Sequence, residues 1–188
     1  MEPLTRAFVA VPCGVPLATA LSRRLDAGGG RPPLRWTRPE SWHLTLQFLG
    51  DWPRARLSAL QHNLEAISGP EPAVLTPAGL GGFPDLARPR VLFLQFRGAE
   101  PLVDLAGAVR QATAATRPEG PQDMRPAHPH LTLARVQGPL EAWQRKALAD
   151  IDLEELPPLP MDGFELLSSQ LSPGGARHTV LASYSLRK

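Results

Sequence analysis

Cysteine, lysine and tyrosine are nearly missing from this chain. Cys13 is the only cysteine in 188 residues, so there is no intrachain disulfide framework and no cysteine-based zinc site. Its apolar neighbours mark it as a buried structural thiol. Only two lysines, Lys146 and Lys188, stand against eighteen arginines. Arginine is the better planar, bidentate phosphate ligand. The chain is equally rich in Ala, Leu, Gly and Pro, however, so genomic base composition explains the bias as well. The net charge of +2 is too small for a long nucleic-acid footprint. No run approaches the roughly 18 apolar residues that a membrane span needs. The opening MEPLTRAFVAVP also lacks the basic-then-apolar layout of a secretory signal. A cytoplasmic protein without membrane contact, monomeric by default, is the expectation.

What is present is the material of an ordinary core, 43% hydrophobic and 20% charged residues. TRAFVAVP reads as a strand. VPLATALSRRLDAGGG sets Leu17, Leu21 and Leu25 on one helical face and stops in glycines. PPLRWTRPESW suggests a short strand and a turn. Pro53 is expected to start a second helix, with Leu57, Leu60, Leu64 and Ile67 inward. AVLTPAGLGGF and RVLFLQF read as strands. They precede a helix from about Pro101 to Ala115 that uses Leu102, Leu105, Val109 and Ala112. The polar loop TRPEGPQDMRP, a helix from about Pro139 to Ala149, and the strands MDGFELLSSQL and HTVLASYSL complete the chain. Two comparable halves of alternating helix and strand predict an α+β fold with pseudo-twofold character. We expect a single bilobal domain over residues 1–188, with two antiparallel-rich sheets facing a central cleft and helices outside.

The chemistry lies in a repeated phrase. His43-Leu44-Thr45-Leu46 and His130-Leu131-Thr132-Leu133 each sit in a strand-like run, HLTLQFLG and HPHLTLARV. Strand side chains alternate, so each histidine shares a face with its threonine while the leucines enter the core. One such pair would be a half-buried histidine beside a β-favouring threonine. Two copies provide imidazoles that exchange acid and base roles near neutral pH, beside hydroxyls that hold phosphate oxygens.

With those phrases the chain resembles the 2H phosphoesterases, specifically the bacterial and archaeal RNA 2′,3′-cyclic phosphodiesterases, also called 2′-5′ RNA ligases. RAFVAVP, the GGFP at Gly81 to Pro84, PRVLFL and LLSSQLSPGG fall where that family has similar segments. The resemblance implies that His43 and His130 form the catalytic pair and that Thr45 and Thr132 bind phosphate. It also implies that Arg135 is associated with the phosphate. By strand alternation Arg135, three residues after Thr132, falls on the opposite face unless the strand bends after Ala134. The expected reaction is hydrolysis of an RNA terminal 2′,3′-cyclic phosphate to a 2′-phosphate, with His130 activating water and His43 protonating the 3′ oxygen. The expected partner is a short single-stranded RNA 3′ end, with no cofactor and no metal. Reverse 2′-5′ ligation is compatible with the same groups.

Other readings remain open at this stage. A non-catalytic nucleotide-binding module or an enzyme for a small cyclic nucleotide or ADP-ribose cyclic phosphate would use the same cleft. His128 and His130 suggest a shared metal ion, yet no cysteine or carboxylate cluster accompanies them, and Asp51 and Asp85 are unsupported as further ligands. No Lys follows a glycine run at P-loop spacing, which argues against ATP-driven ligation. Trp36 and Phe83 are candidates for stacking a base, although packing is the simpler expectation for each. His178, where the family often has tyrosine, is expected to be exposed, and His62 solvated.

Overall fold

The computed structural model describes residues 3–27, 31–117, 127–172 and 175–186. Most of the proline-rich loop expected over residues 116–126 lies outside them. In chain order the elements are β1 (Leu4–Pro12), α1 (Val15–Asp26), β2 (Arg35–Trp36), β3 (His43–Pro53), α2 (Leu57–Glu65), β4 (Ala73–Phe83) and β5 (Val91–Arg97). There follow α3 (Glu100–Ala114), β6 (His130–Arg135), α4 (Ala142–Ala149), β7 (Leu159–Met161), β8 (Gly163–Ser172) and β9 (Gly175–Ser185).

The strands run in the order β7-β4-β5-β6-β3-β1-β8-β9, with β2 also pairing β6, and every pairing is antiparallel. The α+β class holds, and the sheet curls into a half-barrel carrying four helices. The two antiparallel-rich halves of the sheet are joined edge to edge. β3 meets β6 at the single register pair Leu44↔Leu131. Both leucines are fully buried. Separate sheets would leave two open strand edges at the point where the repeated phrases meet, and pairing removes both.

One face of the sheet is the core. Val9, Val11, Leu44, Leu46, Leu131 and Leu133 pack against the inward stripes of the first three helices. Those stripes are Leu17, Leu21 and Leu25 of α1, Leu60 and Leu64 of α2, and Leu102, Leu105 and Val109 of α3. Fully burying one leucine contributes about 1.5–3 kcal/mol, so these stripes hold the helices to the sheet. Cys13 is buried in the same core and burial pushes its thiol up to about 12, which keeps it protonated and inert. Gln47, the buried polar residue of β3, accepts a 2.8 Å hydrogen bond at Oε1 from the Thr113 hydroxyl of α3. Pro53 does not start α2. It ends β3, and a short 3₁₀ turn over Arg54–Arg56 intervenes before Leu57.

Candidate active site

The repeated phrase ends in the same backbone device in both halves. In β3, Ala10 pairs Thr45 and Val9 pairs Gln47, leaving Leu46 as an extra residue. In β6, Phe93 pairs Thr132 and Leu92 pairs Ala134, leaving Leu133 extra. Each second leucine of the phrase is thus the odd residue of a β-bulge, and two consecutive residues turn inward, Leu46-Gln47 and Leu133-Ala134. A bulge resets the alternation. Cross-strand partners share a face, and Gln95, Phe93 and Val91 alternate along β5 opposite His130, Thr132 and Arg135. Arg135 therefore joins the histidine and threonine on the face away from the core. The bend that the sequence reading required is this bulge. Arg35 of β2 pairs Arg135 directly, and both arginines are exposed.

The same reset in β3 brings Phe48 onto the face of His43 and Thr45, opposite Phe8. Phe48 is 57% exposed, with its ring 6.2 Å from that of Phe8. Counting in twos from His43 places it on the wrong face, so strand alternation alone does not reveal it. Phe48 and Arg135 occupy equivalent positions, each five residues after its histidine.

Both histidines are held in the same way. His43 Nδ1 lies 2.7 Å from the Ser41 carbonyl oxygen, and His130 Nδ1 lies 2.6 Å from that of His128. A carbonyl only accepts, so each ring donates its Nδ1–H to the residue two before it. That contact sets the neutral tautomer and leaves Nε2 with a free lone pair. Two Nε2 atoms, poised to take or give one proton, are the chemical content of the arrangement. Thr45 and Thr132 lie half-buried beside them on the same strand faces.

Each histidine has a second histidine and phenylalanine as neighbours. His43 contacts Phe8 at 4.8 Å and His178 at 5.3 Å between ring centroids, the latter edge-on. His130 lies 6.0 Å from His128, 5.1 Å from Phe83 and 5.3 Å from Phe93. Phe83 stacks on Phe93 at 4.4 Å. Gly81 makes room for this stack, since a Cβ there would sit 2.3 Å from the Phe93 ring. Of the chain's five histidines only His62, exposed on α2, stands apart. His178 is not the exposed side chain expected: β9 pairs it with Ser169 of β8 and lays its ring against Phe8 at 4.9 Å. Trp36 meets the expectation of packing. It packs against the core, donates its indole N–H to the Pro32 carbonyl at 2.8 Å and lies under Arg31.

Burial dominates the electrostatics. It lowers His43 to about 4, against the opposing pull of the Ser41 carbonyl, with the charges of His178 and His130 adding to the depression. His130 is lowered in the same direction, by burial first and by His128 next, while the His128 carbonyl works against both. His178 is lowered by burial. With their pKa values held below the ordinary 6.5, His43, His130 and His178 favour the neutral form at pH 7 in the ligand-free protein. Among the described residues no three His, Cys, Asp or Glu side chains converge as a metal site. Asp85, weighed as a ligand from sequence, instead accepts the backbone N–H groups of Ala87 and Arg88. Asp51 faces Arg6 across β1 and β3.

Comparison with known proteins identifies the family and the fold. The model of the LigT like phosphoesterases matches residues 11–93. An RNA 2′,3′-cyclic phosphodiesterase of Aquifex aeolicus is 32% identical over 160 residues, covering 81% of each chain. One from Thermus thermophilus is 36% identical over 162 residues, covering 79% of this chain and 74% of its own. The crystal structure of apo E. coli LigT superposes over the full length of both chains with a TM-score of 0.72 at 25% identity. A Thermus thermophilus crystal structure gives 0.71 at 31% identity, covering 97% of this chain and 98% of its own. At this level of identity over most of both chains, the chain belongs to the LigT-like phosphoesterases of the 2H family.

Proposed function

We propose that the protein is an RNA 2′,3′-cyclic phosphodiesterase that hydrolyses a terminal 2′,3′-cyclic phosphate to a 2′-phosphate. The observation that carries this reading is the doubled device: two imidazoles on one sheet face, both with Nδ1–H tied to a carbonyl and Nε2 free, each followed by a threonine. The activity named for the relatives is the reaction this device suits.

In the proposed reaction, His130 Nε2 removes a proton from water as the oxygen attacks phosphorus. The bond to the 3′ oxygen breaks, and His43 delivers its proton to that oxygen. The product carries the phosphate on the 2′ oxygen, and proton exchange with solvent resets the rings. A 5′-hydroxyl in place of water would leave a 2′-5′ linkage by the same steps. Both rings start neutral, so the acid takes up its proton as the anionic phosphate binds. His43 is the more deeply buried, and an anion beside a desolvated imidazolium interacts in low dielectric, which lifts its pKa most. His130 is the more open to water and is the base. The Thr45 and Thr132 hydroxyls donate to non-bridging oxygens, where negative charge develops. Arg135 with Arg35 supplies positive charge toward the phosphate side of a short single-stranded RNA end, and Phe48 offers a face for an unpaired base.

The test is incubation with a short RNA ending in a 2′,3′-cyclic phosphate, in EDTA, resolving 2′- from 3′-phosphate products. A 2′-phosphate that forms with wild type and not with His43→Ala supports the reading. RNA binding without turnover would make the protein a binding module. Loss of activity in EDTA would replace the two-histidine mechanism with a metal-dependent one.

A further inference from the structure

We propose that His178 is a third substrate-contacting imidazole, which donates a hydrogen bond to a non-bridging phosphate oxygen on the His43 side and takes no part in proton transfer. The proposal rests on the functional reading above and deepens it. Three observations carry it. First, β9 brings His178 onto the same sheet face as the motif histidines, since its partner Ser169 lies two residues from Leu167, which pairs Phe8. Second, the His178 ring meets both Phe8 and His43 edge-on, at 4.9 and 5.3 Å. Third, His178 Nδ1 is sealed from solvent and has no hydrogen-bond partner.

That third observation sets the ring's chemistry. A buried N–H without an acceptor is costly, and an imidazolium would place one on each nitrogen. Nδ1 is therefore bare, the ring is neutral, and its proton is on Nε2. His43 and His130 have the opposite arrangement, with Nδ1–H engaged and Nε2 bare. The cluster thus holds two acceptors suited to moving a proton and one donor suited to holding an anion. In-line hydrolysis occupies the two acceptors at the attacking and leaving oxygens, on opposite sides of phosphorus. A neutral N–H donor next to His43 is left with the non-bridging oxygens, alongside the threonine hydroxyls. The half-buried ring presents this donor without the solvation cost of a charged group.

The experiment combines ¹⁵N NMR of the histidine side chains with the kinetics of two variants. In the free protein His178 should show the Nε2–H tautomer, and His43 and His130 the Nδ1–H tautomer. Inorganic phosphate should shift the His178 Nε2 signal. Finding Nδ1–H on His178, or no shift at saturating phosphate, overturns the proposal whether or not the protein turns over RNA. His178→Phe keeps the ring and removes the donor. It should lower kcat/KM by about 10- to 100-fold, the worth of a hydrogen bond to a charged group. His178→Gln restores an N–H donor and should recover most of that loss. Equal activity of His178→Phe and wild type, or equal deficits in the two variants at matched Tm, would reduce His178 to packing. Wild-type protein that binds phosphate through His178 but leaves cyclic-phosphate RNA intact would sink the functional reading alone.

Discussion

The two halves of the site begin with the same four residues and end differently. Around His43 the neighbours are Phe8, His178 and an exposed Phe48, and burial lowers the imidazole to about 4. Around His130 they are His128, the Phe83–Phe93 stack and an exposed Arg135 that faces Arg35. Bulges at Leu46 and Leu133 bring Phe48 and Arg135 to the same place in their halves. One half offers an apolar platform and a deeply desolvated ring, the other positive charge and a ring more open to water. In the proposed reaction the repeated phrase supplies the proton-transfer pair, and the different residues at the fifth position give the halves separate contacts to make.

The sharpest way to break this comparison is to remove each histidine. His43→Ala and His130→Ala should each lower turnover by roughly 10²–10⁴, the worth of a positioned acid or base. The assigned roles separate with a 3′-deoxynucleoside 2′-(p-nitrophenyl phosphate), whose nitrophenolate leaves without a proton. His43→Ala should recover most of its rate on that ester and His130→Ala none. Recovery by His130→Ala instead would exchange the acid and the base.

The threonines test whether the halves still share one phosphate. Thr45→Val and Thr132→Val should each lower kcat/KM by about 10- to 100-fold with no change in Tm, as expected for a lost hydrogen bond to a charged group. Unchanged kinetics in both would remove them from the phosphate site. The fifth positions should behave unlike one another. Phe48→Ala should raise KM by about tenfold, because stacking a base is worth ~1–3 kcal/mol, and leave the salt dependence alone. Arg135→Gln should flatten the salt dependence by about one phosphate contact. A matching salt effect in Phe48→Ala would erase the distinction.

The sequence carried what is periodic. Leu17, Leu21 and Leu25 announced α1, and the alternation of His43 with Thr45 and of His130 with Thr132 announced the shared face. It did not carry what depends on register between distant strands. The bulges that bring Phe48 and Arg135 onto the His face are visible only once β1 and β5 are paired. His178 lies 135 residues from His43 in numbering and reaches it across β8 and β1, a contact no local pattern records. The carbonyls of Ser41 and His128 have no side-chain signature at all. Pro53 misled for a physical reason: proline suits the end of a strand as well as the first turn of a helix, and here it ends β3.

The dependence of stability on pH follows directly from the unequal burial. The folded protein holds His43 near 4, against an ordinary value of 6.5. Above pH 6.5 neither folded nor unfolded chain protonates this ring, and it contributes no pH dependence. As the pH falls from 6.5 toward 4 the unfolded chain binds a proton that the folded chain refuses, so stability falls with it. The slope is at most about 1.4 kcal/mol per pH unit for one histidine, on the order of 3 kcal/mol across the window. His130 and His178 are lowered in the same direction and add to the loss. Urea midpoints measured from pH 7.5 to 4.5 should therefore decline, and His43→Gln should decline less steeply than His130→Gln because it removes the most strongly lowered ring. Saturating phosphate should flatten the wild-type decline, since an anion between the rings lets the folded protein take up a proton as well. A steeper curve for His43→Gln than for His130→Gln would show that the two halves are not desolvated in the order their geometry gives.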